Sequence, residues 1–88
     1  MLKILIEDLI EEVQAEILCY EDEDVAKIWV TKFTEIVEKY GERKPYIKRK
    51  GNKTYYVAKD ESEIFSMADN YVASLESGQE DEYWKGFN

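Results

Sequence analysis

From Val25 to Tyr40 the apolar residues Val25, Ile28, Trp29, Phe33, Ile36, Val37 and Tyr40 recur three and four positions apart, and Gly41 follows at once. That rhythm admits one local structure. A helix turns once per 3.6 residues and stacks these side chains in a stripe, whereas a strand would divide them between two faces. The spacing predicts a helix over 24–40. Asp22 or Asp24 can cap its start, and Gly41 sits where a left-handed residue ends a helix. A stripe carrying Trp29 belongs in a core, so the rest of the chain must supply its apolar partners. With 88 residues the chain makes one small domain, 1–88, which buries roughly 60–65% of its unfolded surface.

Two further helices are predicted. Over 1–20, Leu2, Leu5, Ile6, Leu9, Val13, Ile17 and Tyr20 form one apolar face, widened by Ile10 and Leu18. Glu7, Asp8, Glu11, Glu12 and Glu16 occupy the other side. Only Glu21 to Asp24 separate this helix from the next, which favours an antiparallel pair. Over 61–77, Ile64, Ala68, Tyr71, Val72 and Leu75 form a stripe with Phe65 beside it. Asp60 and Glu63 have capping-box spacing at its start, and Gly78 ends it.

Residues 46–58 read as a β-hairpin. Gly51-Asn52 between Tyr46–Lys50 and Lys53–Ala58 suits a type II′ turn. In that register Lys50 faces Lys53, Lys48 faces Tyr55 and Tyr46 faces Val57, all on one side. Ile47 with Tyr56 and Arg49 with Thr54 take the other. A hairpin is marginal alone, so its apolar end must rest on the helices. Residues 79–88 form a C-terminal arm with room for one helical turn. The expected class is α+β: a two-helix antiparallel hairpin, then a β-hairpin, then a third helix (ααββα).

Charge is sorted along the chain. Residues 1–42 carry a net −8, residues 43–59 carry +7 with no acid, and residues 60–88 carry −7. The absence of histidine removes the Ser-His-Asp triad, the Cys-His pair and most zinc sites. No glycine-rich phosphate loop occurs. One cysteine, Cys19, permits no internal disulfide and reads as a small apolar residue with no base beside it. No cofactor and no metal site are expected, and the chain reads as not an enzyme. No apolar run reaches the ~20 residues of a membrane span, and the N-terminus lacks a signal-peptide pattern, so no membrane contact and a cytoplasmic address are expected.

Three functions are weighed. The leading one is a small acidic protein that binds and inhibits a basic partner, such as a nuclease or another nucleic-acid-acting enzyme. Its carboxylates would stand in for phosphates, as in inhibitors encoded by phages and mobile elements. Its candidate contacts are Glu12, Glu16, Glu21, Asp22, Glu23, Asp24, Glu80, Asp81 and Glu82, with Tyr83 and Trp84 as aromatic anchors; the plain alternative for these rings and Phe87 is that they fold back to cover the core, which is favoured for at least one of them. The bland alternative is a solvated helix face, with acids favoured at helix N-termini. The second reading is a nucleic-acid-binding regulator using Lys48, Arg49, Lys50, Lys53 and Tyr55; edge lysines that block aggregation are the plain explanation there. The third is a carboxylate–Mg²⁺ nucleotide hydrolase. It is disfavoured because Glu11-Glu12 is followed by Glu16, one residue later than the E-E-x-x-E of helical nucleotide pyrophosphatases. A homodimer is left open.

Residues 30–39, VTKFTEIVEK, resemble the second helix of colicin-type nuclease immunity proteins, with Tyr55-Tyr56 standing for that family's paired tyrosines. The resemblance implies an acidic, all-helical inhibitor of a nuclease. The chain departs from the family at Val57, where the family has Pro, in lacking its His-Pro, and in its basic segment 43–59. No functional residue is carried across.

Overall fold

A computed structural model describes residues 1–87; Asn88, the last residue of the expected arm, lies outside them. The elements are β1 (Leu2–Leu5), α1 (Ile6–Leu18), α2 (Glu23–Tyr40), a 3₁₀ turn (Gly41–Arg43), β2 (Ile47–Lys50), β3 (Lys53–Ala58), α3 (Glu61–Ser77) and α4 (Glu80–Lys85). The α+β class stands. The order gains a strand at the front and a short helix at the end.

The first four of these residues correct the expectation of one helix over 1–20. Leu2 to Leu5 form a strand antiparallel to β3, with Leu2 opposite Ala58, Lys3 opposite Val57, Ile4 opposite Tyr56 and Leu5 opposite Tyr55. LKIL satisfies both periods: Leu2 and Ile4 share a face in a strand, while Leu2, Leu5 and Ile6 share one in a helix. The long-range partner decides. β3 offers a row of backbone groups that β1 satisfies, which a helix start could not do. α1 therefore begins at Ile6 without a side-chain cap, and Glu7 and Asp8 fall in its first turn beside the positive dipole end. Those two acids were the local sign of the true start.

The expected hairpin is consequently the far part of a three-stranded antiparallel sheet in the order β1-β3-β2. Its register is the one the turn predicted: Lys50 with Lys53, Arg49 with Thr54, Lys48 with Tyr55, Ile47 with Tyr56. Gly51 has φ 64° and Asn52 has no positive φ, the requirement of a type II′ turn and not of type I′.

The caps follow the sequence. Val25 N–H donates to Asp22 Oδ1 at 3.1 Å, and Glu63 N–H donates to Asp60 Oδ1 at 3.2 Å. Glu63 reciprocates one residue early, accepting from Lys59 N–H at 2.5 Å. At the end of α3, Gly78 has φ 70°, Gln79 N–H reaches Ser74 O at 2.8 Å, and Gly78 N–H reaches Leu75 O at 3.4 Å, which is a Schellman motif.

One face of the sheet, with Tyr56, Ile47 and Ala58, packs on the helices. The core joins these to Leu9, Val13 and Ile17 of α1, Trp29 and Phe33 of α2, and Ile64, Ala68 and Tyr71 of α3. Trp29 and Phe33 stack at 4.8 Å between centroids. α1 packs against both α2 and α3, which approach each other less closely. The rings of the C-terminal arm fill that gap. Trp84 lies 6.3 Å from Trp29 and 5.8 Å from Tyr71, and Phe87 lies 5.8 Å from Phe33. Ile28, expected in the buried stripe, is 46% exposed, and Leu18, expected to widen that of α1, is 43% exposed. Both sit on helix flanks with no neighbouring element to cover them.

Candidate functional site

The acidic candidates divide into two sets. Asp22 is engaged in capping α2, and Glu23 and Asp24 lie in the first turn of that helix. Glu80, Asp81 and Glu82 form the first turn of α4. Glu80 pairs with Lys32 at 3.5 Å and Glu82 with Lys85 at 3.3 Å, the only ion pairs among the described residues. Exposed pairs of this kind contribute about 0–1 kcal/mol. They do reduce the free negative charge at that end.

Glu80 and Glu21, with 58 residues between them, both act on Tyr71, whose hydroxyl is pushed up to about 12, first by burial, then by Glu80, then by Glu21.

Of the two placements open to Tyr83 and Trp84 from the sequence, interface anchor or cover for the core, both rings take the inward one. Tyr83 accepts from Trp29 Nε1 at 3.0 Å and donates to Met67 O at 2.8 Å, tying α2 to α3. Burial pushes its hydroxyl far up. Trp84 is half-buried with its Nε1 enclosed and without a partner among the described residues, and Lys32 sits over its ring at 5.8 Å. The reason is geometric: the gap between α2 and α3 needs large rings, and Gly78 turns the chain back to deliver them.

The exposed aromatic among acids is Tyr20 instead. It was expected on the buried face of α1, but that helix ends at Leu18 and the ring, 61% exposed, leaves the stripe. It stands against α3 in a shallow groove of about 250 Å³ with Asp69, Val72, Ala73 and Glu76. Asp69, and after it Glu16, raises the Tyr20 hydroxyl above its ordinary value. Glu12 lies one turn before Glu16 on the same flank of α1. Neither Asp69 nor Glu76 was singled out from the sequence. The signal was present: residues 69, 72, 73 and 76 keep helical spacing, so two acids flank two small apolar residues on one face.

The cationic candidates gather on the outer face of the sheet, which no helix covers. Pairing puts Lys50 beside Lys53, Lys48 beside Tyr55, and Lys3 beside Val57 on that side. Lys3 was missed because 1–20 read as helix. Tyr46 departs from the face expected for it: its ring lies 5.5 Å from Tyr56, and its hydroxyl donates to Phe87 O at 2.7 Å on the core side. Arg49, on the opposite side of β2 from the lysines, donates its backbone N–H to Glu42 Oε1 at 3.0 Å. None of Lys3, Lys48, Lys50 and Lys53 forms an ion pair among the described residues.

Among the described residues no three His, Cys, Asp or Glu side chains come together in a way that could hold a metal ion. The acids of α1 project from one element, and Mg²⁺ needs oxygens converging from several. Cys19 is exposed, its Sγ 3.5 Å from Ala15 O. No described helix is long and apolar enough to cross a membrane. Comparison with known protein families, with curated proteins and with solved structures yields no match to this chain.

Proposed function

We propose that this chain is a non-enzymatic binding protein that captures a basic surface of a partner protein, of the kind found on nucleic-acid-acting enzymes, and blocks it. The observation that carries this reading is the groove at Tyr20. An exposed ring shares the groove with Asp69 and with Glu76 two turns further along α3, Glu16 also acts on its hydroxyl, and no cation is paired to any of the three acids among the described residues. Glu12 extends the same flank of α1, and Glu21 follows Tyr20 directly in the chain. An arginine from a partner fits such a groove. Its guanidinium stacks on the ring while its fork of donors meets the carboxylates, and the two effects add. A net charge of −8 speeds encounter with a basic partner and selects against acidic ones.

The reading centres on Glu12, Glu16, Glu21, Asp69, Glu76 and Tyr20, with Glu23, Asp24 and Asp81 kept as further candidates; Asp22 is engaged as a cap, Glu80 and Glu82 in ion pairs, and Tyr83 and Trp84 against the core. The test is capture of the partner by the tagged protein, with duplex DNA as competitor. Asp69→Lys combined with Glu16→Lys should weaken capture at least about tenfold, the effect of like charges set together across an interface. Duplex DNA should displace the partner. Undiminished capture by the double variant removes the reading. So does capture indifferent to DNA, which would place the partner's contact away from its nucleic-acid channel.

A further inference from the structure

The outer sheet face is a second surface of opposite character, independent of the groove at Tyr20. We infer that it binds single-stranded nucleic acid, with Tyr55 stacking a base and Lys3, Lys48, Lys50 and Lys53 holding the backbone phosphates.

The placement comes from the strand register. Side chains two apart on a strand share a face, and directly paired residues share it too. On this face β3 contributes Lys53, Tyr55 and Val57, β2 contributes Lys50 and Lys48, and β1 contributes Lys3 and Leu5. The four lysines are exposed, while Tyr55 and Val57 are half-buried between them. Together with Met1 and Arg49, five of these side chains outline a depression of about 680 Å³ on the sheet. No acidic residue occupies the outward positions of any of the three strands.

Charge complementarity selects the occupant. Four cations in no ion pair among the described residues, set around the ring of Tyr55, match a polymer with regularly spaced phosphates and flat rings. Lysine is a point charge and reads no base sequence, so the contact tracks the backbone. Stacking on Tyr55 needs a base free of its complement, which favours a single strand over a duplex. A sheet with aromatic side chains on its open face is one of the arrangements that single strands use.

The net charge of −8 opposes this at long range only. Even the short dimension of the molecule, 22 Å, exceeds the Debye length of about 10 Å at 0.1 M salt. Contact on the sheet is therefore governed by the charges near it, the four lysines together with Glu42, whose carboxylate accepts from Arg49 N–H on β2, while carboxylates on the far side of the molecule are screened. Lysines on the edge strands β1 and β2 also discourage pairing with another chain. That role does not account for Lys53 on the central strand, nor for the convergence of all four lysines on one face around Tyr55.

The experiment is fluorescence anisotropy of a labelled oligothymidylate of about 12 nucleotides, a length within the usual range for one small domain. The wild-type chain should bind it. With four lysine–phosphate contacts the logarithm of affinity should fall with the logarithm of salt at a slope of about −3, or roughly 50-fold between 50 and 200 mM. Lys48→Glu, Lys50→Glu and Lys53→Glu together should abolish binding with the far-ultraviolet circular dichroism unchanged. Tyr55→Ala should weaken binding roughly ten- to a hundredfold, and Tyr55→Phe should restore it, since the ring and not the hydroxyl stacks. No binding by the wild type at low salt overturns the inference. Equal affinity for the annealed duplex overturns it too, because stacking would then play no part. A triple variant that still binds, or one that instead changes the sedimenting mass of the protein, would show the face to be idle or a contact between copies. The Asp69→Lys, Glu16→Lys variant should bind the oligonucleotide at least as well as the wild type, so the two surfaces fail or succeed separately.

Discussion

The helical face and the sheet face of this molecule carry opposite charge, and they hold it in different ways. On the helices many acids have local employment. Asp22 and Asp60 cap, Glu63 accepts from Lys59, and Glu80 and Glu82 pair with lysines. On the flank around Tyr20, Glu16, Asp69 and Glu76 form no ion pair among the described residues. On the sheet none of the four lysines is in an ion pair among the described residues, and Lys50 and Lys53 even face each other as a like-charged pair. The difference teaches that net charge is a poor guide to a surface. A sequence total of −8 conceals a cationic face, and a run of four acids conceals a cap.

The contrast depends on the core that holds the faces apart, and the largest effects come from breaking it. Trp29→Ala would remove the fully buried ring that stacks on Phe33 and bonds Tyr83. It should cost about 3–5 kcal/mol in urea unfolding and abolish both surfaces at once. Raising the pH attacks the same core without mutation. Burial, chiefly, pushes the Tyr56 and Tyr71 hydroxyls up to about 12 from an ordinary 10.0. A folded-state value above the unfolded one gives stability that is complete below pH 10 and is lost as pH rises toward 12. Tyrosinate absorbance during alkaline titration should therefore lag in the folded protein and catch up in a single step with loss of circular dichroism.

Tyr83→Phe is a gentler probe. It leaves Trp29 Nε1 and Met67 O without their partner and should cost about 1–3 kcal/mol, while partner capture and oligonucleotide binding stay unchanged below the unfolding range. Altered capture would restore Tyr83 to the interface. The smallest effect is the sharpest. Lys53→Glu turns a like-charged cross-strand pair into an opposite one and should stabilise the fold by about 0.2–1 kcal/mol. It should weaken oligonucleotide binding at the same time. A residue that lowers stability yet supports binding is the signature of a functional position, and a variant that gains stability at no loss of binding would make the lysine a solubility device.

Much of this fold was legible. α2 and α3 announced themselves by stripe and cap, and the hairpin register followed residue by residue from Gly51-Asn52. These are local signals, carried by residues within a few positions of each other. What was illegible is what the chain settles over distance. LKIL reads equally as helix or strand until Tyr56 and Ala58 are in place beside it. With that misread, Lys3 was lost from the cationic face. Tyr20 was misplaced for a related reason: apolar spacing put it inside, whereas the end of α1 at Leu18 leaves its ring exposed. Tyr83 was open to either placement, and the gap between α2 and α3 decided it.

The central place of β3 has a consequence for how the molecule comes into being. β1 leaves the ribosome well before its neighbour in the sheet, and it cannot dock until Ala58 has followed. In the interval a nascent chain can already pair α1 with α2, while an apolar tetrapeptide waits unzipped. Joining the present termini with a linker and reopening the chain at the Gly51-Asn52 turn would place β3 early and let β1 close the sheet without delay.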